Sequence, residues 1–378
     1  MRWISLFSGA GCGDLGLHRA GDEIVAMVEW DKYASSVAKY NFPNVPIYSD
    51  VQQLDPNDLP DADGLIYSFP CQDLSRAGKQ KGFKGKRSTL YEHAIRIIQH
   101  LRTRGLRYSL AENVVGLQTS NNGDDFARLI NDLLNVRHNS IGWTILDSRY
   151  VGFSFSQDRR SEPRGIRQAV PQRRRRIFIL GAFGDISGES IAEILSFKER
   201  CKGYINESQR KRKIEENASS FKGESSKVCK YINRGVDVYN GLETGETAST
   251  LTTAVGGMHG SGPKVAVSWN GDVTPKSSID LCMTLRSQQG GEGVGVAYKE
   301  GIRRLTPIEC ERLQGLPDDF TKYGSNLRLD SNKWILDDGI NEISDNQRYK
   351  ILGNAITSHC TEWIARRIKE YEKKQRRT

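Results

Sequence analysis

The chain has 378 residues, 37% hydrophobic and 27% charged, with 55 Lys and Arg against 46 Asp and Glu and a net charge of +9. That length accommodates one large domain and a smaller one, and the composition is that of a folded globular protein. No apolar run reaches the roughly 18 residues that a membrane-spanning helix needs, and the apolar stretch at the N-terminus is too short for a secretory signal, so a cytoplasmic chain without membrane contact is expected.

The positive balance suits a polyanionic partner without naming one. Seven cysteines are scattered with no C-x-x-C pair, and six histidines show no ligand spacing. Both facts argue against a disulfide framework and against a metal site.

Taken in chain order, short apolar runs alternate with helical patterns through residue 182. The predicted strands are Trp3–Phe7, Ile24–Val28, Gly64–Ser68, Leu106–Ala111, Trp143–Asp147 and Arg176–Gly181. The predicted helices are Asp14–Ala20, Asp31–Tyr40, Thr89–Arg104 and Asp124–Asn135. This rhythm predicts an α/β fold, a doubly wound and mostly parallel sheet covered on both faces.

Three stretches break it. Gln72–Arg87 is a polar, basic loop, and Phe153–Gln168 is rich in Arg and Ser. Residues from 183 to about 300 are rich in Gly, Ser and Thr and lack the alternation. The predicted division is therefore a first domain over 1–182, completed by 346–378, and a smaller one over 183–345. A weak repeat runs through the latter. Thr250-Leu251, Gly256-Gly257 and Val265–Val267 are echoed by Thr284-Leu285, Gly290-Gly291 and Val294–Ala297, as two similar hairpins would be. An amphipathic helix is predicted over Asn354–Lys373.

The chemistry-bearing residues cluster at strand ends. Phe7-Ser8-Gly9-Ala10-Gly11-Cys12-Gly13 joins the first strand to its helix, where glycines let the backbone turn tightly and approach a ligand. Glu29 ends the second strand about 20 residues on, placed to accept hydrogen bonds from ribose hydroxyls. Trp30 offers a face to an adenine ring, and Asp50-Val51 closes the third unit. These positions point to an adenosine-containing cofactor.

Ser68-Phe69-Pro70-Cys71-Gln72 puts a thiol at the carboxyl end of a central strand, where open α/β sheets hold their active sites. Glu112 and Asn113 end the neighbouring strand, bringing a carboxyl group beside Cys71. In Gln172-Arg173-Arg174-Arg175-Arg176, alternation puts Arg174 and Arg176 on one face.

With these motifs in this order, the chain resembles the DNA cytosine-5 methyltransferases of bacteria and phages. Phe7–Gly11, Glu29-Trp30 and Asp50-Val51 are similar to the family's cofactor motifs. Pro70-Cys71-Gln72, with Ser75 and Gly78–Gly82, resembles its catalytic loop. Arg87–Leu90, Glu112-Asn113-Val114, Pro171–Arg176, Arg304–Gly315 and Gly353–Ile356 complete the set. Two departures stand out: Cys12 replaces a customary glycine, and Phe153–Gln168 lengthens the link into the Pro171-Gln172 motif.

The resemblance implies a Rossmann-like class I methyltransferase fold, with 183–345 as target-recognition domain and hinge. It implies S-adenosylmethionine as methyl donor, no metal, and double-stranded DNA as partner. The molecule would be monomeric, in a bacterial or phage-infected cell, and the family allows a separately encoded restriction endonuclease as counterpart.

By resemblance, Cys71 would add to C6 of a flipped-out cytosine and Glu112 would hold N3 and the exocyclic amine. Arg174 would contact O2, Arg176 would buttress the pocket, and Asn113 would orient the loop. Phe7, Gly9, Ala10, Gly11, Glu29, Trp30, Asp50, Val51, Pro70, Leu90, Asn354 and Ala355 would hold the cofactor. Gln72, Ser75, Arg76, Lys79 and Lys81 of the catalytic loop would contact DNA, as would Thr250 or Thr284, with Arg286, in the small domain.

A tRNA-directed enzyme would share the catalytic motifs, but the long loop-rich region favours a duplex DNA reader. A catalytically silent relative would lack Cys71, Glu112 or Arg174, and a dehydrogenase would not need Pro-Cys-Gln.

Overall fold

The structure is a computed structural model that describes residues 1–69, 90–155, 165–167, 169–196 and 301–376, with short strands between 235 and 298. For 153–155, 165–167 and 235–304 it describes the backbone alone.

Apolar runs buried on both faces can exist only inside a sheet covered on each side. The N-terminal half builds such a sheet from β1 (Arg2–Leu6), α1 (Cys12–Arg19), β2 (Glu23–Val28), α2 (Lys32–Asn41), β3 (Ile47–Tyr48), β4 (Gly64–Tyr67), α3 (Leu90–Arg102), β5 (Tyr108–Val114), α4 (Asp124–Asn135) and β6 (Ser140–Asp147). A short pair, β7 (Phe153–Phe155) and β8 (Gly165–Arg167), precedes β9 (Arg175–Ala182) and α5 (Gly188–Leu195).

Then come β10 (Gly235–Asp237), β11 (Leu242–Gly245), β12 (Val265–Trp269), β13 (Lys276–Ile279), β14 (Gly293–Tyr298) and β15 (Gly301–Arg304). The chain closes with α6 (Pro307–Leu313), β16 (Tyr323–Asp330), β17 (Lys333–Glu342), α7 (Asp345–Asn354) and α8 (Ser358–Gln375).

The main sheet has nine strands in the order β16-β17-β3-β2-β1-β4-β5-β9-β6. Its centre, from β3 to β5, is parallel, while β9 runs antiparallel between β5 and β6. Strand order reverses between β1 and β4, which opens a crevice at the carboxyl ends of the strands.

Period-two alternation sorts side chains into two layers. Ile4, Leu6, Leu65, Tyr67, Ile177 and Ile179 pack with Ile97 and Ile98 of α3 and Leu129 of α4. Trp3, Ile66, Phe178 and Leu180 pack on the other face with Leu17, Ile191, Trp363 and Ile364.

The predicted strands and helices to residue 182 stand within a few residues of those observed, and the class I methyltransferase fold is present. The boundaries at 183 and 345 shift, however. Ile191, Ile194 and Leu195 of α5 belong to the second layer. The hairpin β16–β17 extends the main sheet, through Lys333↔Tyr48 and Trp334↔Ile47. A hairpin at the sheet edge buries only part of its side chains, so its alternation is diluted and reads as loop. The sheet is thereby more mixed than expected.

Between 265 and 304, β13-β12-β14-β15 form a separate four-stranded antiparallel sheet of two hairpins. The apolar elements of the weak repeat, 265–267 and 294–297, lie in its paired central strands. Thr250, Thr284 and Arg286 lie outside the described residues.

The C-terminal helix, expected over Asn354–Lys373, runs unbroken from Ser358 to Gln375 and begins a turn later than expected. Ala355 is extended, at φ −64° and ψ 146°, and Arg174 donates to the carbonyls of Gly353 and Ala355. Those carbonyls are thus satisfied outside a helix. The following helix, α8, then lies against α1: Thr361 donates its hydroxyl to the Gly13 carbonyl at 2.7 Å.

The approach is so close that a Cβ at Gly16 would overlap Thr361 Oγ1 and the carbonyl of Ser358. A backbone atom cannot rotate away, so Gly16→Ala must separate the helices. Urea unfolding should show a loss of about 1–3 kcal/mol, the usual cost of overpacking; an unchanged midpoint would show that the two helices yield freely.

Candidate active site

The crevice begins at the turn from β1 to α1. Phe7, Gly9 and Gly11 all have left-handed backbones, with φ of 57°, 57° and 77°. For Phe7 that conformation is costly and marks a constrained site. Gly11 needs its lack of a side chain twice over, because a Cβ there would strike the Phe42 ring. At Gly9 a Cβ would meet nothing within 4 Å, so space opens directly above its backbone. Ala10, 2% exposed, packs inward with Leu313 and Ile351.

Glu29 is clasped by this turn. The Gly9 amide donates to Oε2 at 2.8 Å and the Asp31 amide to Oε1 at 2.7 Å. Burial pushes the Glu29 carboxyl above its ordinary value, and the two amides oppose that shift. Trp30, 69% exposed, offers a free indole face beside it. Asp31 caps α2 through the amides of Tyr33 and Ala34 and pairs with Lys350 at 2.5 Å.

Asp50, buried with Val51, accepts from the Gln52 amide and from Gln53 Nε2. Leu90 opens α3, and Asn354 is exposed where α7 ends beside buried Ala355. Open space over Gly9, an oriented carboxylate and an exposed indole together fit an adenosine group.

Two supporting residues escape sequence reasoning. Asn332 clamps the backbone of Asp50, accepting from its amide at 2.7 Å and donating to its carbonyl at 3.0 Å. Trp334 Nε1 donates to the Glu29 carbonyl at 2.9 Å. Ser331 and Asn332 have φ of 44° and 64°, the left-handed pair of a tight hairpin turn. The signal was Ser331-Asn332 between Leu327-Arg328-Leu329 and Trp334-Ile335-Leu336.

The second half of the site lies at the ends of β4, β5 and β9. Glu112, 4% exposed, accepts from Ser68 Oγ at 2.6 Å through Oε2. Its Oε1 lies 3.1 Å from Arg176 Nε in an ion pair, yet has no hydrogen-bond partner among the described residues. Asn113 Nδ2 donates to the Phe69 carbonyl at 3.3 Å and Oδ1 accepts from the Val114 amide. Ser68 and Phe69, the last described residues before Pro70-Cys71, are thus both tied to the end of β5. Pro70, Cys71, Gln72, Ser75, Arg76, Lys79 and Lys81 lie outside the described residues.

The two arginines meet different partners. Arg174, 3% exposed, turns its Nη2 to the carbonyls of Gly353 and Ala355, at 3.3 and 2.6 Å. It buttresses the C-terminal segment. Arg176, on β9, is the arginine beside Glu112. Alternation put both on one face correctly, but not which of them a C-terminal segment would engage.

The described cysteines, Cys12, Cys310 and Cys360, are all buried and form no disulfide. Burial pushes the thiols of Cys12 and Cys360 well up, and neighbouring carboxylates add to it. No described helix is long and apolar enough to cross a membrane, and no group of three potential ligands among the described residues would hold a metal ion.

The family described as C-5 cytosine-specific DNA methylase matches residues 1–161 and 166–370. The type II methyltransferase M.NgoBI of Neisseria gonorrhoeae is 30% identical over 318 residues, covering 84% of this chain and 83% of that one. M.FnuDI of Fusobacterium nucleatum, also a type II methyltransferase, is 27% identical over 374 residues, covering 98% and 94%. Among solved structures, the Dnmt2 methyltransferase of S. pombe matches with a TM-score of 0.53 at 16% identity, over 99% of each chain; that likeness concerns the fold.

One buried acid makes the cofactor turn sensitive to pH. Asp14, in the first turn of α1, is 2% exposed. Burial pushes its carboxyl up to about 7, against hydrogen bonds from the Ser5 hydroxyl and the backbone. The folded chain then holds a proton that the unfolded chain releases near pH 4. Its contribution to stability is full at about pH 4 and is lost as pH rises through about 7. Each tenfold change in proton affinity is worth about 1.4 kcal/mol, so Asp14→Asn should gain a few kcal/mol relative to wild type between those pH values. Parallel urea titrations of the two proteins, with the same pH slope in both, would refute it.

Proposed function

Because the chain belongs to the C-5 cytosine-specific DNA methylase family, as a DNA cytosine-5 methyltransferase using S-adenosylmethionine, we propose that it works on a flipped-out cytosine through a covalent bond from Cys71. The observation that carries this reading is Glu112: a buried carboxyl group with one oxygen held by Ser68 and the other beside Arg176, still lacking a hydrogen bond.

When bound, S-adenosylmethionine supplies an electrophilic methyl group. Glu29, Trp30, Asp50 and the Phe7–Gly11 turn would hold it, with Pro70, Leu90, Asn354 and Ala355 completing the pocket. The rest of the task falls to the protein, since C5 of cytosine is a weak nucleophile.

Addition of the Cys71 thiolate to C6, with a proton from Glu112 at N3, turns the ring into an enamine whose C5 is nucleophilic. Oε1 of Glu112 takes the exocyclic amine, and Arg176, rather than Arg174, takes O2. After methylation, loss of the C5 proton and of Cys71 restores the ring. C5 and C6 are inaccessible within a duplex, so the base must leave the stack. The basic loop Gln72–Arg87, including Ser75, Arg76, Lys79 and Lys81, would secure phosphates. Thr250 or Thr284, with Arg286, would serve target reading. The type II relatives support a modification role; a separately encoded restriction endonuclease as counterpart, and a monomeric, cytoplasmic enzyme, belong to the proposal.

Duplex DNA with 5-fluorocytosine tests the covalent step, because fluorine at C5 cannot leave as a proton. With S-adenosylmethionine, wild type should give a protein–DNA band that survives denaturation, and Cys71→Ala should give none. An adduct persisting in the variant overturns the assignment, and one formed only on tRNA transfers the chemistry to RNA. Glu112→Gln and Arg176→Ala should each lower kcat by about 100-fold or more, the range of a lost acid or electrostatic partner. An Arg174→Ala loss confined to stability would separate the two arginines.

A further inference from the structure

Glu112 does not by itself fix where its two oxygens point. The terminal torsion of a Glu side chain is broad and close to two-fold, so the carboxyl plane turns at little cost. A guanidinium nearby biases that turn, because arginine and carboxylate favour two parallel hydrogen bonds. Such a pair would engage both oxygens of Glu112 and leave neither turned to a base.

The structure shows a different arrangement. Arg176 Nε lies 3.1 Å from Oε1, while Arg176 Nη1 donates to the Arg175 carbonyl at 2.9 Å. The other oxygen, Oε2, accepts from Ser68 Oγ at 2.6 Å. Oε1, though beside the cation, has no hydrogen-bond partner among the described residues. One oxygen is thus held by a neutral donor, and the second stays open to a ligand.

Ser68 is itself fixed from two sides. β4 and β5 run in parallel register with Tyr67 beside Ala111, and one further step sets Ser68 beside Glu112. The Ser68 amide donates to the Leu6 carbonyl at 3.4 Å, and the Phe69 carbonyl accepts from Asn113 Nδ2 at 3.3 Å. The hydroxyl therefore stands on backbone secured between the end of β1 and the end of β5. Groups carried on strands in this way hold a partner more closely than groups carried on loops.

We infer that Ser68 is a positioning residue: by donating to Oε2 it sets the plane of the Glu112 carboxyl and keeps Oε1 turned to the base, out of a two-pronged pair with Arg176. The inference rests on the proposed methyltransferase reading, in which Glu112 acts on the cytosine. Ser68 acts through Glu112 and not on the base.

Two rates on duplex DNA read this role: kcat on the unmodified duplex, and adduct formation on the 5-fluorocytosine duplex with S-adenosylmethionine. Ser68→Ala should lower both by about 10- to 100-fold, the scale of a misplaced catalytic group. KM for DNA should stay within about threefold, because uniform binding is untouched. S-adenosylmethionine affinity, followed by tryptophan fluorescence, should not change. Ser68→Thr, which keeps the hydroxyl, should recover most of the lost rate.

A double variant separates positioning from packing. In the Glu112→Gln background, Ser68→Ala should cost no further rate, since residues that act as a unit are not additive. A serine that merely packed the strand end would cost the same factor in both backgrounds. Wild-type rates in Ser68→Ala would overturn the inference, as would an additive loss in the double variant or a Ser68→Thr as slow as Ser68→Ala. If any of these occurs while wild type methylates DNA, only the role of Ser68 falls; if wild type methylates no DNA and forms no adduct, the methyltransferase reading falls with it.

Discussion

A carboxyl group at 4% exposure on an apolar strand is the constraint on which the rest of this site depends. Burying an unpaired carboxylate costs several kcal/mol, so Glu112 dictates its neighbours. Ser68 arrives from β4 because parallel strands end side by side. Arg176 comes from β9, whose antiparallel register sets it opposite Val114 and therefore diagonal to Glu112. A one-residue slip of β9 would turn Arg176 to the other face and leave the carboxyl without its cation. The register of three strands and the chemistry of the site are thus one requirement.

The same logic ties distant parts of the chain together. Glu29 lies in the first strand pairs, yet its carbonyl accepts from Trp334 and the Asp50 backbone is clamped by Asn332. Arg174 likewise needs the carbonyls freed between α7 and α8. Glu311, at 0% exposure, joins the amides of Asp319 and Thr321 to Arg348, fixing α6 against α7. Residues beyond 305 are therefore structural partners of the turn between β1 and α1, far from them in sequence.

What sequence alone could convey follows from these physical distances. The strands of the central sheet were legible because a doubly buried strand must be apolar along its length, and the helices because their apolar stripe repeats. Glu29 and Glu112 were legible because a polar residue ending an apolar strand has few bland explanations. The β16–β17 hairpin was not: Leu329, Leu336 and Ile340 are more than half exposed, so its pattern tracks no core. Nor were the different partners of Arg174 and Arg176, since both obey the same alternation and only a partner some 180 residues away distinguishes them. Short-range patterns report which face a residue occupies; they carry no information about which remote segment meets that face.

Charge supplies an orientation that neither motif nor topology provides. The net charge of +9 is not evenly spread. At one end of the sheet, β17 and the turn before it expose Asp330, Asp337, Asp338 and Glu342, with Arg328 occupied by Asp330 and Asp337. At the other end, Arg173 and Arg175 are exposed beside β6. A polyanion approaching this sheet meets repulsion from the first edge and attraction at the second, and such fields steer encounters before any contact is specific.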